Sequence, residues 1–223
     1  MRVGLAAALC ALAAGCSRES EQRPAPVTPP SIPAAAGSTS DRRSVIVAFG
    51  DSLTAGPGVS SDSNYPAFLQ KQLDARGRRY RVVNAGISGD TTGGGVARID
   101  SIIAYHPEIV ILELGANDGL RGLPVESTRA NLDQIIAALQ RAGARVVLAG
   151  MTLPPNYGPD YVRAFEHVFV DLAEKYKLPR IPFFLDNVAA RPERMLGDGL
   201  HPNAAGHQIV AATVMRTLEP LLN

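Results

Sequence analysis

Cysteine is nearly missing from this chain of 223 residues. There are two, Cys10 and Cys16, and both stand within the first sixteen positions. The body of the protein therefore has no disulfide framework and must rely on an apolar core. An excess of either charge is missing too. Twenty-two Lys and Arg face 21 Asp and Glu, and no basic block stands out, which argues against nucleic acid as a partner. Beyond the first residues no apolar run is long enough to span a bilayer. No internal repeat is present. Of the four histidines, His106, His167 and His207 lack ligand-spaced neighbours, so no metal site is expected and these three read as surface or helix-packing residues. The glycine run "TTGGGVAR" (Thr91–Arg98) has neither the Lys-Ser/Thr ending of a phosphate loop nor a dinucleotide spacing. It reads as flexible backbone. What the chain does have is 46% hydrophobic residues, enough for one domain with a sizeable core.

The first residues differ from the rest. Met1–Arg2 is a short positive start, and residues 3–14 are small and almost wholly apolar, the shape of a secretory signal too short to cross a membrane. The segment ends in "LAAGC", Leu12 to Cys16, which resembles the lipobox of bacterial lipoproteins. The resemblance implies cleavage before Cys16, acylation of its thiol and of the new amino terminus, and anchoring on the periplasmic side of a bacterial membrane. Each acyl chain contributes about 0.8 kcal/mol per buried CH₂. The alternative is an ordinary signal peptide cut nearby, with Cys16 incidental. Residues 17–43 are rich in Pro, Ala, Ser, Thr, Glu and Arg and cannot bury enough apolar surface to offset their ordering entropy. The expected organisation is a signal peptide over 1–15, an anchor site and disordered tether over 16–43, and a folded domain over 44–223.

Within that domain apolar runs and amphipathic stretches alternate. Strands are expected at Ser44–Phe49, Tyr80–Gly86, Glu108–Gly115, Ala144–Met151 and, short and at an edge, Arg180–Leu185. Helices are expected at Tyr65–Gly77, Val96–Pro107, Pro124–Gly143, Asp160–Leu178 and Asn203–Leu222. Alternation with short links predicts an α/β fold with a five-stranded parallel sheet covered by helices on both faces. In such sheets the active crevice lies beyond the carboxyl ends of the strands. Four small polar motifs fall near such ends: "GDSLTAG" after the first strand, "GISGDT" after the second, "GANDGL" after the third, and "DGLHPN" before the last helix.

Acyl transfer by serine needs a nucleophile, a base beside it, an acid that orients the base, and donors aimed at the oxyanion. Ser52 on a tight turn is a candidate nucleophile, His201 a candidate base, and Asp198, three residues before it, a candidate orienting acid. The Ser52 N–H, the Gly89 N–H and the Asn117 side-chain amide make a three-donor oxyanion hole. Each has a plainer reading. Ser52 and Asn117 could serve their own turns, Gly89 its backbone angle, Asp198 a loop or cap, and His201 a solvent-exposed turn. Asp51 and Asp90 read as residues that hold their loops. The loop Thr152–Tyr161 is expected to flank the substrate, with Tyr157 packing it.

The four blocks in this order resemble the SGNH hydrolases, also called the GDSL family, whose naming residues fall on Ser52, Gly89, Asn117 and His201, with the acid on Asp198. "PFF", "NYG" and "ELGANDGLRGLP" are further similar to the arylesterase, acyl-thioesterase I and lysophospholipase L1 subgroup. The resemblance implies a flavodoxin-like three-layer α/β/α fold, no metal and no cofactor. It also implies hydrolysis of carboxylic esters, acyl thioesters or lysophospholipids by a Ser-His-Asp triad. The rival readings are a carbohydrate or peptidoglycan O-acetylesterase, a non-catalytic binding lipoprotein and, more distantly, an FMN carrier.

Overall fold

A computed structural model describes residues 41–223. The expected leader, Cys16 and most of the expected tether lie outside the described residues. Five strands, β1 (Ser44–Gly50), β2 (Tyr80–Gly86), β3 (Ile109–Glu113), β4 (Arg145–Ala149) and β5 (Arg180–Ile181), pair in parallel in the order β2-β1-β3-β4-β5. Residues Ile46–Phe49 and Ile109–Leu112 are completely buried, as expected of strands covered on both faces. The long helices α6 (Val125–Arg141) and α7 (Pro159–Tyr176) pack against each other and against β4. Helices α2 (Tyr65–Ala75) and α8 (Ala204–Leu218) form a second pair, with α2 against β2 and α8 against β5. This is the flavodoxin-like three-layer arrangement, with strand order 2-1-3-4-5.

Two elements depart from expectation. The glycine run is helical, not flexible: α3 spans Thr92–Ala97, a kink at Arg98 follows, and α4 covers only Ile99–Ile103. The start of α3 is tied down from two sides. Thr91 caps it by accepting from the Gly94 N–H, and the buried Asp118 carboxylate accepts both the Thr92 N–H (2.8 Å) and its hydroxyl (2.5 Å). Capping outweighs the low helix propensity of the glycines. The fifth strand is two residues long, not six, because Pro182 has no N–H to continue the ladder.

His207 on α8 is buried, whereas His106 and His167 are exposed. Among the described residues neither ring nitrogen of His207 has a hydrogen-bond partner. Burial, and secondarily the neighbouring His201, pushes its pKa down to about 4. A histidine held neutral in the fold but free to protonate when unfolded stabilises fully above its ordinary pKa and loses that contribution as pH falls. The loss between roughly pH 6.5 and 4 is on the order of 3 kcal/mol. The melting temperature of the wild type is therefore expected to drop across this window, and His207→Leu to flatten the drop. An identical pH slope in both proteins would refute a neutral buried His207.

Candidate active site

The first strand ends at Gly50, and Asp51 caps the single-turn helix α1 (Ser52–Ala55) by accepting from the Leu53 N–H at 2.9 Å. Ser52 thereby becomes the first residue of a helical turn, where backbone N–H groups have no intrahelical acceptor. Asp51 holds this turn, as its position suggested.

The other half of the site comes from a loop 149 positions away in sequence. Asp198 folds its own loop by accepting from the Leu200 N–H (2.9 Å) and the His201 N–H (3.0 Å) through Oδ1. Its Oδ2 is left to face His201 Nδ1 at 2.7 Å, and His201 Nε2 lies 2.9 Å from Ser52 Oγ. The hydrogen bond from His201, followed by the two backbone donors, lowers the Asp198 pKa to about 2. The carboxylate therefore stays charged at any working pH. Pro202 pairs with Met195 across the loop, and Asn203 caps α8 by accepting from the Gly206 N–H, so His201 is clamped at both sides.

Asn117 lies on the short helix α5 (Ala116–Leu120), which follows β3 after a left-handed Gly115. Its amide donates to Asp51 Oδ2 at 3.0 Å, which draws the third motif onto the first. Gly89 adopts φ +81° on the loop after β2, and its carbonyl accepts from Arg121 at 2.9 Å. Among the described residues neither the Ser52 N–H nor the Gly89 N–H has an acceptor within the protein. Asp90 holds its loop by pairing with Arg98 at 2.7 Å.

Three structural contributors escaped the reading of the sequence. Arg98 donates to the Gly50 and Ala85 carbonyls while pairing with Asp90, and its guanidinium lies 4.5 Å above the Phe49 ring. It ties the ends of β1 and β2 to the Gly89 loop, yet an arginine on a helix carries no signal of this. Asp118 joins the Asn117 helix to α3. Glu113 carried the clearest available signal, an acidic residue in the apolar run "IVILELG".

Ser52, Asn117 and His201 open on one cavity of about 600 Å³, within the usual range for small-molecule sites. Most of its wall is apolar, including Leu120, Leu153, Pro154, Leu185, Met195 and Leu200. Leu120 and Leu200 are exposed. The loop after β4 flanks this cavity through Leu153, Pro154 and Pro155. Tyr157 packs that loop, donating its hydroxyl to the Leu120 carbonyl at 2.8 Å. Among the described residues no group of three or more His, Cys, Asp or Glu is placed to hold a metal ion.

This sheet order, with serine, imidazole and carboxylate in line beyond its carboxyl edge, defines the class as the three-layer α/β hydrolases of the SGNH type. Residues 48–209 match the model of the GDSL-like Lipase/Acylhydrolase family, and the chain belongs to that family. It is 42% identical over 178 residues to esterase TesA of Pseudomonas aeruginosa, covering 79% of this chain and 89% of that protein. It is 38% identical over 179 residues to thioesterase 1/protease 1/lysophospholipase L1 of Escherichia coli K12, covering 80% and 85%. A crystal structure of TesA superposes with a TM-score of 0.77 at 42% identity, covering 80% of this chain and 99% of that one. The protein is a carboxylic ester hydrolase.

Proposed function

We propose that this enzyme cleaves aryl and short-to-medium acyl esters, and also acyl thioesters or lysophospholipids, through Ser52, His201 and Asp198. The observation that carries the reading is the Asp198–His201–Ser52 relay, 2.7 and 2.9 Å per step, opening on an apolar cavity of about 600 Å³. Ser52 Oγ attacks the acyl carbonyl while His201 takes its proton and returns it to the leaving alcohol or thiol. Asp198 holds the imidazole with Nε2 toward Ser52 and stabilises the imidazolium. The Ser52 and Gly89 N–H groups and the Asn117 amide receive the oxyanion. Water then repeats the sequence on the acyl-enzyme.

The apolar wall favours this substrate class over an O-acetylated sugar, which would need polar partners for its hydroxyls. The names of the relatives, esterase and thioesterase 1/lysophospholipase L1, point the same way. The segment "LAAGC" supports export and lipidation at Cys16, with the domain held on the periplasmic side of a bacterial membrane.

One preparation tests both parts. The full chain, expressed with its own leader in a Gram-negative host, is expected in the membrane fraction and is extracted with detergent. It is then assayed on p-nitrophenyl esters from acetate to palmitate, an acyl-CoA and a lysophosphatidylcholine. Activity is expected to peak at intermediate chain length. Activity confined to acetate would favour the sugar esterase, and recovery in the soluble periplasm would overturn the anchor.

A further inference from the structure

The third strand ends in a residue foreign to its surroundings. Glu113 is completely buried and reaches under the turn that carries Ser52. Its Oε2 accepts from the Thr54 hydroxyl at 2.7 Å and from the Asp51 N–H at 3.3 Å, while Oε1 has no donor among the described residues. Asp51 is buried as well, but its carboxylate accepts two N–H groups, from Leu53 at 2.9 Å and from the Asn117 amide at 3.0 Å. Gly50 makes room for the contact. A Cβ there would lie 2.1 Å from Thr54 Oγ1 and 2.5 Å from Glu113 Oε2, so only glycine lets the carboxyl approach the backbone this closely.

Among the described residues no cation is paired with either carboxyl. The Arg98 guanidinium, which reaches the same strand end, is occupied by Asp90 and by the Gly50 and Ala85 carbonyls. The other titratable groups facing the pair are Asp90 and the Tyr65 hydroxyl, 3.3 Å from Thr54 Oγ1. Two neighbouring carboxyls in such a site cannot both ionise. Burial raises the Asp51 pKa to about 6, with its N–H donors working against the rise. Burial, and then the charge of Asp51, raises Glu113 well above the usual carboxylate range.

We propose that Glu113 is a neutral acid sharing its proton with the Asp51 carboxylate, and that it thereby acts as a positioning residue for Asn117. The chain of contacts runs from β3 through Asp51 to the amide. One N–H of Asn117 is locked onto Asp51, so the other is presented to the substrate in a single direction. Sharing the proton also spreads the negative charge of Asp51 away from the place where the oxyanion forms. The inference rests on the reading of Asn117 as an oxyanion donor.

The test uses the full chain, with kcat and KM on p-nitrophenyl butyrate for Glu113→Gln, Glu113→Leu, Asn117→Ala and the Glu113→Leu/Asn117→Ala double variant. Glu113→Leu is expected to lower kcat by about 10- to 100-fold with KM nearly unchanged. Glu113→Gln can still donate toward Asp51 and accept from Thr54, and is expected to recover kcat to within about fivefold of wild type. In the Asn117→Ala background the Leu substitution is expected to cost less than about threefold, because the group it acts through is gone. Equal cost in both backgrounds overturns the positioning role. Asn117→Ala with wild-type kcat overturns the oxyanion reading beneath it, a separate result. A second measurement does not require the Leu variant to fold. A carboxyl with raised pKa stabilises the fold most below its ordinary range, and that contribution is lost as pH rises. The melting temperature of Glu113→Gln relative to wild type is therefore expected to climb from pH 5 to pH 9. A constant difference overturns the neutral acid.

Discussion

Ser52→Ala is expected to lower kcat on the order of 10⁶-fold, by analogy with serine hydrolases in which the nucleophile has been removed. The substitution deletes one oxygen whose contact is His201 Nε2 at 2.9 Å. The turn does not depend on it, since Asp51 caps the helix through the Leu53 N–H and Gly56 closes it through the Ser52 carbonyl. The variant should therefore fold and melt like wild type. Substrate should still bind, because the apolar wall of the cavity is untouched. What remains is the contribution of the oxyanion donors and of binding, roughly 10³ to 10⁴ over water. A fluorophosphonate probe gives an independent readout: it should label wild-type protein at Ser52 and leave the variant unlabelled. Turnover near wild type in the variant would sink the assignment of the nucleophile.

The second large effect is expected at Asp198. Asp198→Asn keeps an oxygen to accept from the Leu200 and His201 N–H groups, so the loop should keep its shape. The atom facing His201 Nδ1, now 2.7 Å away as a carboxylate oxygen, becomes an N–H₂ donor. Nδ1 must then accept, and the imidazole proton moves to Nε2, where it points at Ser52 Oγ. The base is occupied in the ground state, and the imidazolium loses its counter-charge. A decrease in kcat of about 10⁴-fold is expected with KM little altered. Because the wild-type carboxylate has its pKa lowered to about 2, its charge contributes fully above the ordinary carboxyl range. The contribution is lost only as pH falls through about 2, so an acid limb of activity at milder pH does not come from Asp198. An Asp198→Asn enzyme losing less than tenfold would show that the imidazole is oriented by its loop alone.

The element order, the parallel sheet and the place of the four motifs were legible because they rest on local physics. Buried parallel strands are continuous apolar runs, helices carry a 3.6-residue apolar period, and turns need Gly, Asp, Ser and Asn. The turn around Ser52 and the loop of Asp198 and His201 are short-range structures, each built by a carboxylate accepting N–H groups two or three residues ahead. Their chemistry is written in adjacent letters.

Other features depend on what lies across the molecule. The glycines after Thr91 become a helix because Asp118, 26 positions on, receives the Thr92 N–H and hydroxyl. Local propensity cannot anticipate that partner. The fifth strand, expected over Arg180–Leu185, is short for a local reason, Pro182, but its end is set by pairing with β4. Arg98 and Glu113 acquire their roles from contacts 48 and 62 positions away.

Letters along the chain, then, were sufficient for the fold class and for which residues to propose as nucleophile, base and orienting acid. They do so through short-range hydrogen bonds and periodic burial, which need no knowledge of distant neighbours. The burial of Asp51 and Glu113 against each other, the wiring of Asn117 to that pair and the shape of the apolar cavity arise only when β1, β3 and the loop before α8 converge. Desolvation and charge coupling depend on distance in space, and that distance exists only in the folded chain.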